Sequence, residues 1–256
     1  MKVIMGSGKE IPKSHPRYIS LKARNDIVLG VKTGITSIHG LISQGRGEAF
    51  DYLIGEKTNH FAVNSIEAAS SMLLLSKHPV ISVNGNVAAL VPKELVKLSS
   101  LINAPLEVNI FHASREREEK IRLHLIKNGA KEVLLPQKKI QIKNLDSNRK
   151  YVNALGIFKA DVVFVPLEDG DRTEALIKNG KKVITVDLNP MSRTARKATI
   201  TIVDNLIRAM PLLVNTIKLL RKLKTKNQLK NILRDYNNKN NLNKALHHIS
   251  TRTLSG

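Results

Sequence analysis

The sequence predicts an α/β protein in which helices flank a mostly parallel sheet, with a helical N-terminal segment and a basic C-terminal tail. Short apolar runs rich in β-branched residues, typical of strands buried on both faces, occur at residues 162–167, 183–188 and 199–203. The pentapeptide LIKNG ends two predicted helices, at residues 125–129 and 176–180, and an apolar run follows each copy. This repeated helix-to-strand corner favours a parallel βαβ succession.

The first part of the chain predicts helices followed by two more strands. Residues 1–77 are expected to be largely helical, and the last helix opens at a capping box formed by Asn64 and Glu67. PVISVN, residues 79–84, is the first buried strand, and EVNIF, residues 107–111, is the second. Because these two runs are as apolar as the later ones, we expect all of them to belong to one sheet.

Local signals place the remaining helix ends and the domain limits. Ser114 precedes a charged helix, and Asp171 stands three residues before Glu174, which predicts a second capping box. Residues 137–151 are polar and are predicted to form an irregular surface loop. We expect one α/β domain over residues 1–220, with its sheet core beginning near residue 78.

The chain is strongly basic, and much of the charge lies near its end. The formal net charge is +21, and residues 215–256 contain ten Lys or Arg against the single acidic residue Asp235. We predict that residues 221–256 form a solvated helix and a frayed tail that contacts nucleic acid only non-specifically, because base-stacking aromatics do not alternate with the charges. A dedicated basic arm for a polyanion is the alternative.

Several function classes are disfavoured. The chain has no cysteine, which removes disulfides, thiolate nucleophiles and cysteine-ligated zinc. It has neither a GxSxG elbow nor a GxGxxG fingerprint, and the GSGK at residues 6–9 lacks the glycine and the hydroxyl residue that a P-loop requires. The histidines lack metal-binding spacing, so no metal-ligating residues are predicted. With no apolar run of membrane-spanning length and no signal peptide, we expect a soluble, cytoplasmic protein.

Polar side chains follow the predicted strands, where open α/β sheets bind their ligands. Asp187 suits ribose hydroxyls, and Asp169 or Asp171 could hold Mg²⁺ through water. The amides of Asn84 and Asn86 could bind a small substrate. The arginines suited to phosphate groups are Arg17, Arg46, Arg172 and Arg193. Arg46 stands between two glycines, just before a predicted helix, where either an anion site or a plain turn is possible. The residues indicate a nucleotide and a second anionic ligand.

Long motifs add a family resemblance. They are IPKSHPRYISL, GLISQGRGEAFDYLIGEKT, KHPVISVNGNVAALVP, ADVVFVPLEDGDRTEAL and VDLNPMSRTA, followed by ATITIVDNLIRAMP. Together, and in this order, they resemble the archaeal phosphopantothenate synthetases, that is, 4-phosphopantoate–β-alanine ligases. The likeness extends from Ile11 to about Pro211, while residues 137–150 and the tail after Leu220 look peculiar to this chain. Gln44 stands where the family pattern would have His.

The resemblance implies a Rossmann-like homodimer of the coenzyme A pathway that uses ATP and Mg²⁺. It would join 4-phosphopantoate to β-alanine through a phosphopantoyl adenylate, releasing AMP and diphosphate. Residues 64–77 and 205–224 are candidates for the dimer interface. The implied catalytic residues are Arg17, Arg172 and Arg193. The implied ATP-binding residues are Arg17, His39, Asp187, Leu188, Asn189, Arg193, Thr194, Asn205 and Leu206. The implied substrate-binding residues are Arg46, Asn84, Gly85, Asn86, Asp169 and Arg172.

Two other function classes use the same features. A nucleic-acid-binding module would use the basic surface, with the α/β core as its scaffold. An enzyme similar to sugar-phosphate isomerases would use the anion sites without ATP. Pocketed nucleotide binding persists at moderate salt, whereas binding to a nucleic-acid backbone collapses.

Overall fold

Eight strands appear in the computed structural model, which describes residues 11–252. They are β1 (Pro79–Val83), β2 (Leu106–Val108), β3 (Val133–Leu134), β4 (Gln137–Gln141), β5 (Tyr151–Val152), β6 (Val162–Phe164), β7 (Lys182–Val186) and β8 (Ile200–Ile202). Six of them form one parallel sheet in the order β3-β2-β1-β6-β7-β8, and β4 and β5 form a separate antiparallel hairpin. The GSGK motif lies outside the described residues.

The described helices flank the sheet, and the first three of them precede it in the chain. They are α1 (Tyr18–Lys32), α2 (His39–Ile54), α3 (His60–Leu75), α4 (Gly85–Leu90), α5 (Pro92–Ile102), α6 (Arg115–Lys127), α7 (Gly170–Lys178), α8 (Arg193–Lys197), α9 (Leu206–Leu223), α10 (Lys226–Asp235) and α11 (Asn238–Thr251). A short 3₁₀ turn (Asn148–Lys150) and a π-helical turn (Ala154–Phe158) flank β5. None of these helices has the length and apolar character that a membrane crossing requires.

The strand order reverses between β1 and β6, which are neighbours in the sheet but far apart in the chain. Ile81 of β1 lies opposite Leu106 of β2 on one side and Phe164 of β6 on the other. This order is that of a Rossmann-type sheet, and the reversal opens a crevice at the carboxyl ends of the strands. The predicted α/β fold class is confirmed.

The sequence signals for several helix ends are also confirmed. The Ser114 hydroxyl accepts a hydrogen bond from Arg117 N at the start of α6. Both LIKNG corners end in a glycine with left-handed backbone, Gly129 (φ +103°) and Gly180 (φ +75°). A side chain would be strained there, so glycine is required for the chain to turn back toward the sheet.

Both predicted capping boxes are wrong. Helix α3 begins at His60 after the N-cap Asn59, which places Asn64 one turn inside the helix. Helix α7 begins at Gly170 after Asp169, and the Glu174 carboxylate instead pairs with Arg193 Nη2 at 2.7 Å. The spacing of a capping box also occurs inside amphipathic helices, so the spacing alone did not locate the helix starts.

Two segments differ from their predicted structure. Arg46 and its flanking glycines lie inside α2, where they form neither a turn nor a helix start. The polar segment 137–151 is not an irregular surface loop, because it forms most of the β4–β5 hairpin and includes the buried Arg149. Backbone pairing with β5 orders this segment despite its polar sequence.

The C-terminal segment packs against the body of the protein. Helices α10 and α11 contact α3, and their side chains Leu229, Leu242 and Ala245 are buried. The Asn241 amide donates hydrogen bonds to Phe61 O at 2.8 Å and to Ser65 Oγ at 2.7 Å. The predicted frayed tail is therefore wrong as far as Arg252, while the division of the chain at residue 220 stays a prediction.

Candidate active site

A polar cavity of about 300 Å³ lies at the carboxyl edge of the sheet, beneath the connection between α1 and α2. This volume lies within the range of small-molecule sites, about 300–1,000 Å³. The cavity is formed where the chain leaves β1, β2, β6, β7 and β8. Eight of the residues predicted from the sequence line it: His39, Asn84, Gly85, Asn86, Asp169, Leu188, Asn205 and Leu206.

Close contact between the α1–α2 connection and α4 shapes one wall. A Cβ atom on Gly85 would lie 2.6 Å from Ile35 O and 2.9 Å from Thr36 Cα, so no other residue fits there without a backbone shift. The Asn86 amide donates to Gly40 O at 3.0 Å, and its oxygen accepts a short hydrogen bond from the Thr36 hydroxyl. The wall is consequently held in place by hydrogen bonds rather than by apolar packing alone.

Asn84 joins the two strands at the switch point. Its Nδ2 donates to Pro166 O at 3.1 Å and to Leu167 O at 3.0 Å, and its Oδ1 accepts from Val87 N at 3.1 Å. The amide hydrogens are therefore used within the protein. Asn84 lines the cavity as predicted, but its side chain connects β1 to the chain leaving β6 and caps α4.

A buried cluster of charges supports the cavity from below. The Glu168 carboxylate is fully buried and pairs with both Arg149 and Arg172 through short contacts. Arg149 Nε also donates to Asn109 Oδ1 at 3.0 Å, and Arg149 Nη1 lies 2.9 Å from Asp169 Oδ2. Because its neighbours accept from all three guanidinium nitrogens, Arg149 acts as a fixed support for Asp169.

Asp169 presents a carboxylate to the cavity. Partial burial at the wall and the charge of Glu168 raise the pKa of Asp169, and Arg149 opposes this effect. Only the Oδ2 atom has a hydrogen-bond donor within the described part of the chain. The other oxygen is available to a cation or to a donor group of a ligand.

Arg172 lies under the cavity and does not line it. The residue is 0% exposed, and its guanidinium contacts Glu168 and donates to Ser82 Oγ at 3.2 Å. Burial lowers the pKa of Arg172, while Glu168 opposes this effect. This geometry gives no support to the predicted catalytic and substrate-binding roles of Arg172. The Arg172 guanidinium instead holds Glu168 in place.

The predicted nucleotide residues after β7 are mostly used in contacts within the protein. Asp187 Oδ1 accepts from Asn189 N at 2.9 Å, and Oδ2 accepts a short hydrogen bond from the Ser192 hydroxyl. The Thr194 hydroxyl is buried and donates to Glu168 O at 2.7 Å. Arg193 is exposed and pairs with Glu174. Of this loop, only Leu188 reaches the cavity lining.

Arg17 and Arg46 also lie outside the cavity lining. Arg17 Nη2 lies 3.4 Å from the Tyr52 hydroxyl and 3.7 Å from Glu48 Oε1, on the side of α2 that faces α1. Arg46 is exposed on the surface of α2. Their predicted contacts with phosphate groups stay predictions.

The cavity lining includes residues that the sequence did not single out. Arg117 and Arg149 are the lining cations, and neither was predicted. His112 stacks on His39, with ring centroids 4.6 Å apart, so an unpredicted ring adjoins a predicted one. The position of Arg117 three residues after the predicted cap Ser114, just beyond β2, is the signal that could have identified it.

A Rossmann-type sheet with a polar cavity at its switch point defines an α/β protein that binds its ligands at the carboxyl edge. The chain belongs to the phosphopantothenate/pantothenate synthetase family, whose model matches residues 61–252. It is 51% identical to a 4-phosphopantoate–β-alanine ligase of Thermococcus kodakarensis over 245 residues, which cover 94% of this chain and 93% of the relative. It is 50% identical to a Methanosarcina mazei enzyme of the same name over 242 residues, 94% of each chain.

These comparisons correct one expectation. The family match reaches residue 252 and includes residues 137–150. Neither the hairpin segment nor the segment after Leu220 is therefore peculiar to this chain. This agrees with the structure, in which both segments pack against the body of the protein.

Proposed function

We propose that this protein is a 4-phosphopantoate–β-alanine ligase of coenzyme A biosynthesis. The observation that carries the proposal is the sequence identity of 50–51% between this chain and enzymes of that name, over nearly the whole of both chains. The polar cavity at the switch point of the sheet supports it, because this is where such folds bind nucleotides and small anionic substrates.

The proposed reaction proceeds in two displacements. A carboxylate oxygen of 4-phosphopantoate attacks the α-phosphorus of ATP, the bond to the bridging oxygen breaks, and diphosphate leaves. The amine of β-alanine, after losing a proton, attacks the acyl carbon of the phosphopantoyl adenylate, and AMP leaves with the acyl C–O bond electrons. No protein nucleophile is required, in accord with a chain that contains no cysteine. Catalysis then depends on positioning and on charge stabilisation.

The two ends of the cavity suit the two substrates. Leu188, Asn205 and Leu206 line the end below β7 and β8, which we propose to bind ATP. His39, which stacks on His112 after β2, lies toward the opposite end. Asn205 is fixed there because its amide donates to Asp51 Oδ2 at 2.7 Å. The opposite end, formed after β1 and β2, includes Gly85 and is proposed to bind 4-phosphopantoate.

Asp169 is the lining carboxylate at the centre of the cavity, and its free oxygen suits a cation. It would hold Mg²⁺ through water, and it could equally accept from the ammonium group of β-alanine. When bound, Mg²⁺ would offset the charge of the triphosphate. The role of Arg149 is to keep the Asp169 carboxylate directed at the cavity.

We further propose a cytoplasmic homodimer that contacts nucleic acid only non-specifically. Exposed apolar side chains on α1 and α2, among them Ile19, Val28 and Ile42, support an apolar interface on these helices. Helix α3, a predicted interface element, is largely covered by α9, α10 and α11 of the same chain. Light scattering coupled to gel filtration tests the dimer.

The function is tested by incubating the protein with ATP, Mg²⁺, β-alanine and 4-phosphopantoate labelled with ¹⁸O in its carboxylate. Label in AMP supports attack at the α-phosphorus. Label in inorganic phosphate, with ADP as the second product, would replace the adenylate by an acyl phosphate. Absence of phosphopantothenate under all conditions would overturn the ligase proposal itself. Omitting β-alanine should leave a protein-bound adenylate and diphosphate.

A further inference from the structure

Arg117 reaches the cavity from α6, and it has no role in the site described so far. Its Nη1 donates to His112 O at 2.6 Å, and its Nη2 lies 3.5 Å from Ile35 O. Both partners are backbone carbonyls. These two contacts orient the guanidinium but do not balance its charge.

The charge of Arg117 has no counter-ion among residues 11–252. Its acidic neighbours on α6 pair elsewhere: Glu116 with Lys120 at 2.6 Å, and Glu118 with Arg115 at 3.9 Å. The Nε atom of Arg117 is buried and has no hydrogen-bond partner within the described chain. Burial lowers the pKa of Arg117, and no acidic group opposes this effect.

Three other arginines that are partly or fully buried have carboxylate partners. Arg149 and Arg172 share the Glu168 carboxylate, and Arg208 pairs with Asp51 at 2.5 Å and Asp204 at 2.7 Å. Arg117 is half-buried, and a guanidinium withdrawn in part from water without such a partner is costly, because water solvates its charge less well. Since Arg117 lines the cavity, an anionic ligand is the partner that would complete it.

The position of Arg117 distinguishes between the ligands. It follows β2, whereas the residues proposed to bind ATP follow β7 and β8. From β2 to β8 the sheet takes four steps, through β1, β6 and β7, which at about 4.8 Å a step separates the two ends by roughly 19 Å. Arg117 therefore belongs to the end proposed for the acid substrate.

We infer that Arg117 binds the phosphate group of the phosphorylated hydroxy acid and makes the enzyme prefer that acid to its unphosphorylated form. The inference rests on the proposed function. The reacting carboxylate must meet the α-phosphorus of ATP, so the phosphate at the other end of the acid lies away from the nucleotide. A phosphate dianion can accept from Nε and one Nη of a guanidinium simultaneously, which a free hydroxyl cannot do.

The test compares Arg117→Met and Arg117→Lys with Arg115→Met, in which an exposed arginine of the same helix is changed. Calorimetric titration measures the binding of 4-phosphopantoate and of pantoate to the full chain, and steady-state kinetics give KM for each substrate. For Arg117→Met we expect a loss of phosphopantoate affinity on the order of 100-fold, with pantoate affinity and KM for ATP nearly unchanged. Arg117→Lys should retain part of the affinity, and Arg115→Met all of it.

Several outcomes would overturn the inference. Equal losses for phosphopantoate and pantoate would show that Arg117 has only a structural role, and a change confined to KM for β-alanine would place a different carboxylate there. Should Arg117→Met fail to fold, the same comparison is made with Arg117→Lys, because lysine keeps the positive charge but lacks the paired Nε and Nη donors. If the wild type forms no phosphopantothenate, the proposed function fails, whereas titration with inorganic phosphate still decides whether Arg117 binds the anion.

Discussion

Arg149 Nη1 lies 2.9 Å from Asp169 Oδ2, and this contact connects the β4–β5 hairpin to the cavity. The same guanidinium shares Glu168 with Arg172 in the protein interior. The orientation of a cavity carboxylate thus depends on a residue that lies 20 positions earlier in the chain. The polar, exposed β4–β5 hairpin thus positions the buried side chain of Arg149.

Arg149→Met should destabilise the protein by about 3–5 kcal/mol, because it leaves the buried Glu168 with one cationic partner instead of two. It should also release Asp169 and lower turnover. Urea unfolding followed by circular dichroism measures the stability. Arg234→Met is the matched control, since Arg234 is exposed and should give no measurable change. If both variants unfold at the same urea concentration, the Arg149 cluster contributes nothing to stability.

Glu107 should make stability depend on pH. Its carboxylate accepts from Asn153 N at 2.9 Å and from Ile157 N at 2.6 Å, and burial raises the pKa of Glu107 to about 7. Between the unfolded and the folded pKa the folded protein binds more protons than the unfolded chain. The stability present at low pH is therefore lost as the pH rises through 7.

Glu107→Gln removes this titration, so the stability difference between wild type and variant should change by roughly 2–3 kcal/mol from pH 5 to pH 8. Urea unfolding at the two pH values measures it. At pH 5 the variant should be the less stable protein, because the amide can replace only one of the two acceptor oxygens. Glu116→Gln, at an exposed position, serves as the control. A constant difference across this range would contradict the raised pKa of Glu107.

Leu242→Ala should cost about 2–5 kcal/mol, because the Leu242 side chain is buried where α11 joins the core. Leu219→Ala, at an exposed leucine of α9, should cost far less. Thermal and urea unfolding of both variants measure the difference. Similar small effects would mean that α10 and α11 detach readily, as expected for a solvated tail. Deleting residues 224–256 should likewise destabilise the protein.

The sheet and the position of the site were predictable from the sequence. Strands covered on both faces are nearly all apolar or β-branched, so Val162–Phe164 and Ile200–Ile202 are distinct in composition from the helices around them. Where such strands end, polar residues such as Asn86 and Asp169 gather at one edge of the sheet. This part of the prediction depends only on local sequence.

Residues that depend on distant partners could not be predicted. Arg149 stands in a polar segment, and nothing nearby in the sequence distinguishes it from a solvated arginine. Asn241 makes its hydrogen bond with Phe61, 180 residues away. For each of them, burial follows from tertiary packing and leaves no local pattern.

Substitution by alanine should have opposite effects on stability at two glycines, Gly85 and Gly45, which no local sequence pattern distinguishes. Gly85→Ala places a Cβ 2.6 Å from Ile35 O, so the α1–α2 connection must move, and we expect a loss of stability together with weaker substrate binding. Gly45 lies inside α2 with no atom within 4 Å of its Cβ position, so Gly45→Ala should stabilise the protein by about 0.5–1 kcal/mol. Urea unfolding measures both stabilities, and calorimetric titration of 4-phosphopantoate measures the binding. Unchanged stability and affinity in Gly85→Ala would show that the α1–α2 connection does not shape the cavity wall.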